Sequence, residues 1–294
     1  MLSIKIICIK ITMNFKTKII KIEGKNLEVF FQNLITNDIK LLKNNQALYS
    51  AILTPQGKFL YDFIVIKEKE FYLFEVNEQD INNFIELVKK YDLRESLKIN
   101  VEKNINTKFI LYKNAPKETI KTIKNSSILK KNNYLIFSDP RKENFILRVW
   151  IFEKDIRSSL ESLRTINNKV YDLERIKYTI PDSLIDLEKN KSFVLNYNFN
   201  ELNAISFSKG CYVGQESTSR QNYRGRIKYK LKTLKILNHG SVPKIHENLF
   251  VNKKKIGVMK SKVDNYILAL LRTDFVEENK EFSLDLHGTK AKIT

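Results

Sequence analysis

Apolar residues recur along this chain with two different periods, and the change from one to the other marks out its elements. Leu27, Phe30, Phe31 and Leu34 fall at helical spacing, which predicts an amphipathic helix ending near Thr36, Asn37 and Asp38. Residues 47–53 and 59–66 are extended apolar runs with Pro55-Gln56-Gly57 as a turn between them. A further run, 71–76, leads into a second helix with Ile81, Phe84, Ile85, Val88 and Tyr91 on one face and Asn77 suited to its N-cap. Strands followed by helices in this order predict an antiparallel sheet with helices on one side.

The pattern then partly recurs. Strands are expected at 108–112, 134–137 and 145–151, with Pro116 opening a helix that runs through Ile123. Asp155 is suited to cap a helix carrying Ile156, Leu160 and Leu163, and another helix is expected over 171–178. Residues 181–208 show little periodicity and are rich in Asn, Asp and Ser, the mark of a long loop of functional or mobile character. After Gly225, five short runs at 229–237, 249–251, 256–259, 266–271 and 282–286, separated by polar turns, predict a small antiparallel β-barrel. The whole reads as an α+β protein of two sheet-plus-helix units and a barrel.

Composition narrows the function classes. The chain has 294 residues, of which 43% are hydrophobic, enough for a substantial core in two or three domains. Its net charge of +19 fits nucleic acid, an anionic membrane or an acidic ligand. The lysines are dispersed, however, and accompany many Asn and Ile residues, so the excess reads mainly as drift from an A/T-rich coding sequence. Two cysteines, Cys8 and Cys211, make no disulfide framework, no four-thiolate zinc site and no cluster held within the chain, and His239, His246 and His287 form no ligand motif. A reducing compartment, the cytoplasm, is the expectation. The first twenty residues lack the unbroken apolar run of a signal peptide, and Met13 is a candidate true start. No window has the length of a membrane span, and the phosphate-loop and dinucleotide fingerprints are missing.

The most chemistry-bearing stretch is Lys209-Gly210-Cys211-Tyr212-Val213-Gly214-Gln215-Glu216, followed by Arg220. Only eight glycines occur in the chain, yet Gly210, Gly214 and Gly225 lie close together here, as a tight turn or a close ligand approach requires. Lys209 and Arg220 are near enough in sequence to lower the pKa of Cys211 and favour its thiolate. Gln215 and Glu216 offer the amide and carboxylate that read an amino-pyrimidine edge. Glu216 and Arg220 also have the spacing of a surface ion pair.

This string resembles the signature of the YgfZ-like branch of the glycine-cleavage T-protein (aminomethyltransferase) superfamily, Lys-Gly-Cys-Tyr-x-Gly-Gln-Glu followed by Arg. Weaker resemblance runs through Ile22-Glu23-Gly24, Phe30-Phe31-Gln32, Leu34-Ile35-Thr36-Asn37-Asp38, Leu53-Thr54-Pro55-Gln56-Gly57-Lys58, Asp62-Phe63, Asp139-Pro140-Arg141, Arg175, Ile180-Pro181 and Asp186. The resemblance implies interleaved domains around a central cavity. On that basis 14–46 with 134–222 are expected to form one domain, 47–133 a second and 225–294 the barrel, after an extension at 1–13.

It further implies a tetrahydrofolate or derivative as cofactor, held by Lys209, Tyr212, Gln215, Glu216, Arg220, Asn37, Asp38 and Arg141, with Cys211 as the reactive group. The polyanionic glutamate tail of folate accounts for part of the positive charge. Iron-sulfur client proteins, with tRNA-modifying enzymes served indirectly, are the expected partners; neither a stable nucleic-acid complex nor a membrane is. A folate-dependent one-carbon transferase is the first alternative, against which the T-protein's aspartate motif is not recognisable. An RNA-binding tRNA-modification factor is the second, and it calls for a concentrated basic face.

Overall fold

The computed structural model describes residues 16–43, 46–152, 164–225, 227–238, 242–285 and 288–294. The helix expected at 155–163, the segment at 1–13 with Cys8 and Met13, and His239 and His287 lie outside the described residues.

Three antiparallel sheets carry the chain. The first has the order β2-β3-β4-β1-β5, built from β1 (Thr17–Gly24), β2 (Ala47–Leu53), β3 (Phe59–Lys67), β4 (Phe71–Asn77) and β5 (Leu97–Glu102). Its outer face is covered by α1 (Leu27–Leu34) and α2 (Ile81–Tyr91), whose Phe31, Phe84 and Val88 pack against Ile20, Phe63 and Phe74. Helical spacing of the apolar positions forms both helices. Asn77 receives the Gln79 N–H at 3.0 Å in the 3-10 turn that leads into the second.

The second sheet has the order β6-β9-β8-β7, from β6 (Asn106–Leu111), β7 (Ile128–Lys130), β8 (Tyr134–Ser138) and β9 (Ile146–Ile151). Its outer face packs on α3 (Lys117–Ser126) through Ile123, Ile136 and Val149. The inner faces of the two sheets meet in one core that holds Ile19, Ile64, Phe137 and Trp150. Strands buried on both faces explain why 47–53 and 59–67 read as nearly continuous apolar runs.

Pairing of β1 with β4 and β5, and of β6 with β9, crosses both divisions expected from sequence, at 46/47 and 133/134. The sheets group the chain instead as 17–102 and 106–151. Strand pairing is a tertiary choice that period-2 alternation does not encode.

The third sheet, β11-β12-β13-β10-β15-β14, is the barrel: β10 (Tyr229–Ile236), β11 (Asn248–Val251), β12 (Lys254–Val263), β13 (Tyr266–Arg272), β14 (Glu281–Leu284) and β15 (Thr289–Ile293). Asp285 draws its ends together, its N–H donating to the Phe250 carbonyl while its carboxylate accepts from the Asn252 and Lys253 N–H groups. The last strand and a short helix at Thr273–Glu278 escape the apolar pattern, since 289–293 alternates Lys with small residues.

Residues 181–208 are threaded through the central core and carry no loose loop. Val194, Leu195, Tyr197, Phe199, Leu202 and Ala204 are all buried there. Backbone bonds from Phe59 N to Ser192 O and from Asn190 N to Phe59 O fasten the stretch to β3, at 2.9 Å each.

Four charges sit inside the apolar core. Arg148 of β9 donates to Glu75 of β4 at 2.5 Å and to Asp139 at 2.7 Å. Arg141 grips Asp139 through Nε at 2.9 Å and Nη2 at 2.8 Å. Trp150 and Thr17 donate to Glu75, each at 2.8 Å. Burial by itself would raise the Asp139 pKa, but Arg141 and Arg148 beside it hold the carboxyl well below the usual range.

Replacing Arg148 by Met strands the Glu75 charge in the core, and we expect a loss of about 3–5 kcal/mol in urea unfolding. A loss below about 1 kcal/mol would show the network to be no stronger than a surface pair. Because the folded pKa of Asp139 is depressed, its contribution is present above the ordinary carboxylate pKa and fades as the pH falls toward the folded value.

Candidate functional site

The signature turn is fastened from below. Lys209, 7% exposed, donates from Nζ to the carbonyls of Ile35 at 2.7 Å and Asn37 at 2.8 Å. Burial lowers its pKa to about 8, with the Asp38 carboxylate offsetting part of the shift. A neutral amine keeps two N–H donors, one for each carbonyl, so loss of the proton leaves both bonds available.

The Asn37 side chain is a structural knot, donating to Tyr49 O and Asn203 O and accepting from the Asp38 N–H. Asp38 accepts from Gln32 and from Lys40 N. Tyr212 is buried with its ring 5.0 Å from the Lys209 ammonium. Val213 N donates to Asn33 O at 3.1 Å.

Two glycines then bring backbone against backbone. Gly214, at φ +84°, lies against the β2–β3 turn so closely that a Cβ there would stand 2.5 Å from Thr54 O and 3.1 Å from the Cα of Gly57. This contact aims α5 (Gln215–Tyr223; the preceding helix, α4, spans Asn168–Lys177) outward from the turn. Cys211 is exposed. The side chains of Glu216 and Arg220 are 85% and 69% exposed, joined by a 2.9 Å i,i+4 pair.

The structure thus brings Lys209, Asn37, Asp38 and Tyr212 together as the fastening of the turn. Cys211, Glu216 and Arg220 face solvent, and Gln215 is half-buried at the helix start. Arg141 lies apart from all of these in the central ion network, where its guanidinium also donates to Tyr171 at 3.0 Å.

Two cavities open elsewhere, and no residue of the 209–220 stretch lines either. The narrow one, about 40 Å³, lies between the sheets over Tyr49, Asp62, Glu75 and Arg141. Burial raises the pKa of Asp62, against bonds from Ser183 and Tyr49, the latter donating from its hydroxyl at 2.7 Å. Thr17 also lines the neighbouring cleft of about 1310 Å³, which runs between β6, α4 and β12.

Asp172 on the wall of that cleft gives Oδ1 to the Arg175 Nε at 2.7 Å, and no described residue donates to Oδ2. Burial raises its pKa, with Arg175 opposing. Arg175 continues to Asp186 at 3.2 Å and Ser261 at 3.1 Å, tying α4 to the barrel.

Sequence reasoning passed over Asp62 and Asp172 as site residues. The signal for Asp62 was a carboxylate inside an otherwise apolar strand; Asp172 carried none, as an acid in an ordinary helix. Among the described residues no group of three or more His, Cys, Asp or Glu is placed to hold a metal ion, and no helix is long and apolar enough to cross a membrane.

The fold is that of an aminomethyltransferase. The aminomethyltransferase T of the glycine cleavage system of Bartonella henselae matches it with a TM-score of 0.73 over 96% of this chain and 83% of its own, at 14% identity. No protein-family model matches the chain.

By sequence it is 26% identical over 246 residues to the iron-sulfur cluster assembly factor IBA57 homolog, mitochondrial, of Dictyostelium discoideum, covering 72% of this chain and 59% of that protein. It is 25% identical to the tRNA-modifying protein YgfZ of Buchnera aphidicola (84% and 79% covered) and 24% to that of Aliivibrio fischeri (89% and 84%). The chain therefore spans less than two thirds of the length of the IBA57 homologues and most of the length of the YgfZ proteins. With the signature at 209–220, these likenesses make it a YgfZ-like protein of the aminomethyltransferase superfamily.

Lys209→Met leaves the Ile35 and Asn37 carbonyls without their donor, and urea unfolding is expected to show a loss of about 1–3 kcal/mol. Since Lys209 sheds its proton near pH 8 in the folded chain and near 10.5 unfolded, its contribution to stability rises with pH across that window. In the Met variant this rise disappears; an unchanged pH profile would remove Lys209 as its source.

Proposed function

We propose that this chain is a tetrahydrofolate-binding accessory protein that supports iron-sulfur cluster assembly or repair in client enzymes, tRNA-modifying enzymes among them. The observation that carries the reading is the cleft, whose donors and acceptors fit folate. Asp172 presents an uncommitted carboxylate oxygen for an amino-pyrimidine edge. Phe109, Ile166 and Val263 give apolar wall for the rings, and lysines stand at the mouth for the carboxylate tail.

Volume decides between the two cavities. About 40 Å³ admits water and excludes a pterin, whereas about 1310 Å³ exceeds the usual range for a ligand pocket. We therefore assign the pterin to the cleft at Asp172. Gln215 and Glu216 are left to the outward surface, which with Cys211 is the proposed client contact. The bound folate supplies one-carbon chemistry, while the chain's residues bind and orient it. An exposed single thiol suits a reducing compartment, proposed to be the cytoplasm.

Calorimetric titration with tetrahydrofolate tests the assignment. We expect one saturable site, weakened roughly 10- to 100-fold by Asp172→Asn through loss of a charge-assisted bond and unchanged in Glu216→Ala and Cys211→Ser. Absence of binding in every variant would sink the folate reading. Weakening confined to Glu216→Ala would return the pterin to the signature turn, and weakening confined to Asp62→Asn would place it in the narrow pocket.

A further inference from the structure

Lysines that are scattered in sequence converge at the mouth of this cleft. Lys16 and Lys18 come from the start of β1, Lys108 from β6, Lys169 from α4 and Lys262 from β12. Two of them have acidic partners: Lys18 lies 3.7 Å from Glu78 and Lys169 lies 2.8 Å from Asp264. Lys16, Lys108 and Lys262 are exposed, and none has an ion-pair partner among the described residues. Asp172, the acid farther in, is engaged by Arg175.

Local structure keeps these three in place. A 3.1 Å bond from Thr17 Oγ1 to Thr107 Oγ1 ties β1 to β6, so Lys16 and Lys108 each adjoin one of the bonded threonines. Lys262 follows an irregularity in the pairing of β12 with β13 between Met259 and Lys262. There Ser261 turns inward to Asp186 and Arg175 and Lys262 is left outward at the cleft.

Uncompensated cations along the wall of a concavity focus the field and favour a ligand whose negative charges are also spaced out. A single phosphate calls for convergent donors such as a free guanidinium fork or helix amides. The cleft offers neither, since its one arginine, Arg175, is fully engaged. RNA calls for exposed aromatic platforms, and the one aromatic on the wall, Phe109, is 5% exposed. A chain of carboxylates matches what remains.

We propose that the cleft selects folates carrying an oligo-γ-glutamate tail over the monoglutamate, and that Lys16, Lys108 and Lys262 read that tail. The inference rests on the folate reading above and adds the form of the ligand and the residues that distinguish it.

The test is a calorimetric comparison of monoglutamyl and pentaglutamyl tetrahydrofolate at low and physiological salt. In the unmodified chain the longer tail is expected to bind about tenfold tighter at low salt, the sum of three partly screened pairs, and the gap narrows as salt rises. The triple variant Lys16→Gln, Lys108→Gln, Lys262→Gln keeps monoglutamate affinity and loses the gain. A control removes the same charge from the exposed β11–β12 hairpin, by Lys253→Gln, Lys254→Gln and Lys255→Gln, and keeps the gain. Equal affinity for both tail lengths, with monoglutamate binding intact, overturns this proposal and leaves the folate reading standing. A gain lost equally in the control overturns it in favour of unspecific attraction by net charge. Failure of both ligands to bind overturns the folate reading itself.

Discussion

Four charged side chains inside the central core set the terms for the rest of the molecule. Glu75 comes from the first sheet, while Asp139, Arg141 and Arg148 come from the second sheet and the turn after β8. Any one of them alone in that core would cost several kcal/mol. Together two carboxylates balance two guanidiniums, and Thr17, Trp150 and Tyr171 take part in the bonding. An apolar interface of the same volume would let the sheets slide over one another by a residue. Here such a slide leaves a buried ion without its partner, so the network specifies one alignment of the sheets.

That alignment has a consequence for binding. The same ion network lines the narrow pocket, and the neighbouring cleft begins at Thr17, whose hydroxyl donates to Glu75. On the far side the Arg175–Asp186–Ser261 cluster joins α4 and the 181–186 segment to the barrel by the same kind of bonding. The cleft is therefore bounded by polar clusters that hold separate layers together. Its shape is as rigid as those clusters, which is what a preorganised ligand site requires.

The sequence revealed elements better than their neighbours. Phe31 and Phe84 announced their helices by spacing, and β10 to β14 announced a barrel by short alternating runs, because both signals are local. The partners of β1 and β6 were hidden, since a strand carries no mark of which strand it will meet. The signature turn was legible as a unit, yet its chemistry divides in the structure. Lys209 and Asn37 hold the turn while Glu216 and Arg220 form an exposed pair. Residue type told which groups were able to bind a heterocycle; burial and direction, which depend on the Gly214–Gly57 contact, are set by the fold.

Charge is the clearest case of information that lies in space and not in order along the chain. A net charge of +19 from dispersed lysines is what compositional drift produces, and most of those lysines carry no further meaning. Drift does not explain a shared cavity wall on which three of five lysines lack acidic partners while Lys18 and Lys169 have theirs. Like charges gathered without compensation raise the free energy of the empty protein through mutual repulsion. The arrangement is relieved when an anion of matching length enters. The exposed thiol of Cys211 belongs to a different surface, built on the β2–β3 turn and no part of the cleft wall. A ligand in the cleft can therefore remain bound while that surface engages a client, an arrangement suited to a protein that acts on other proteins and is not consumed with its cofactor.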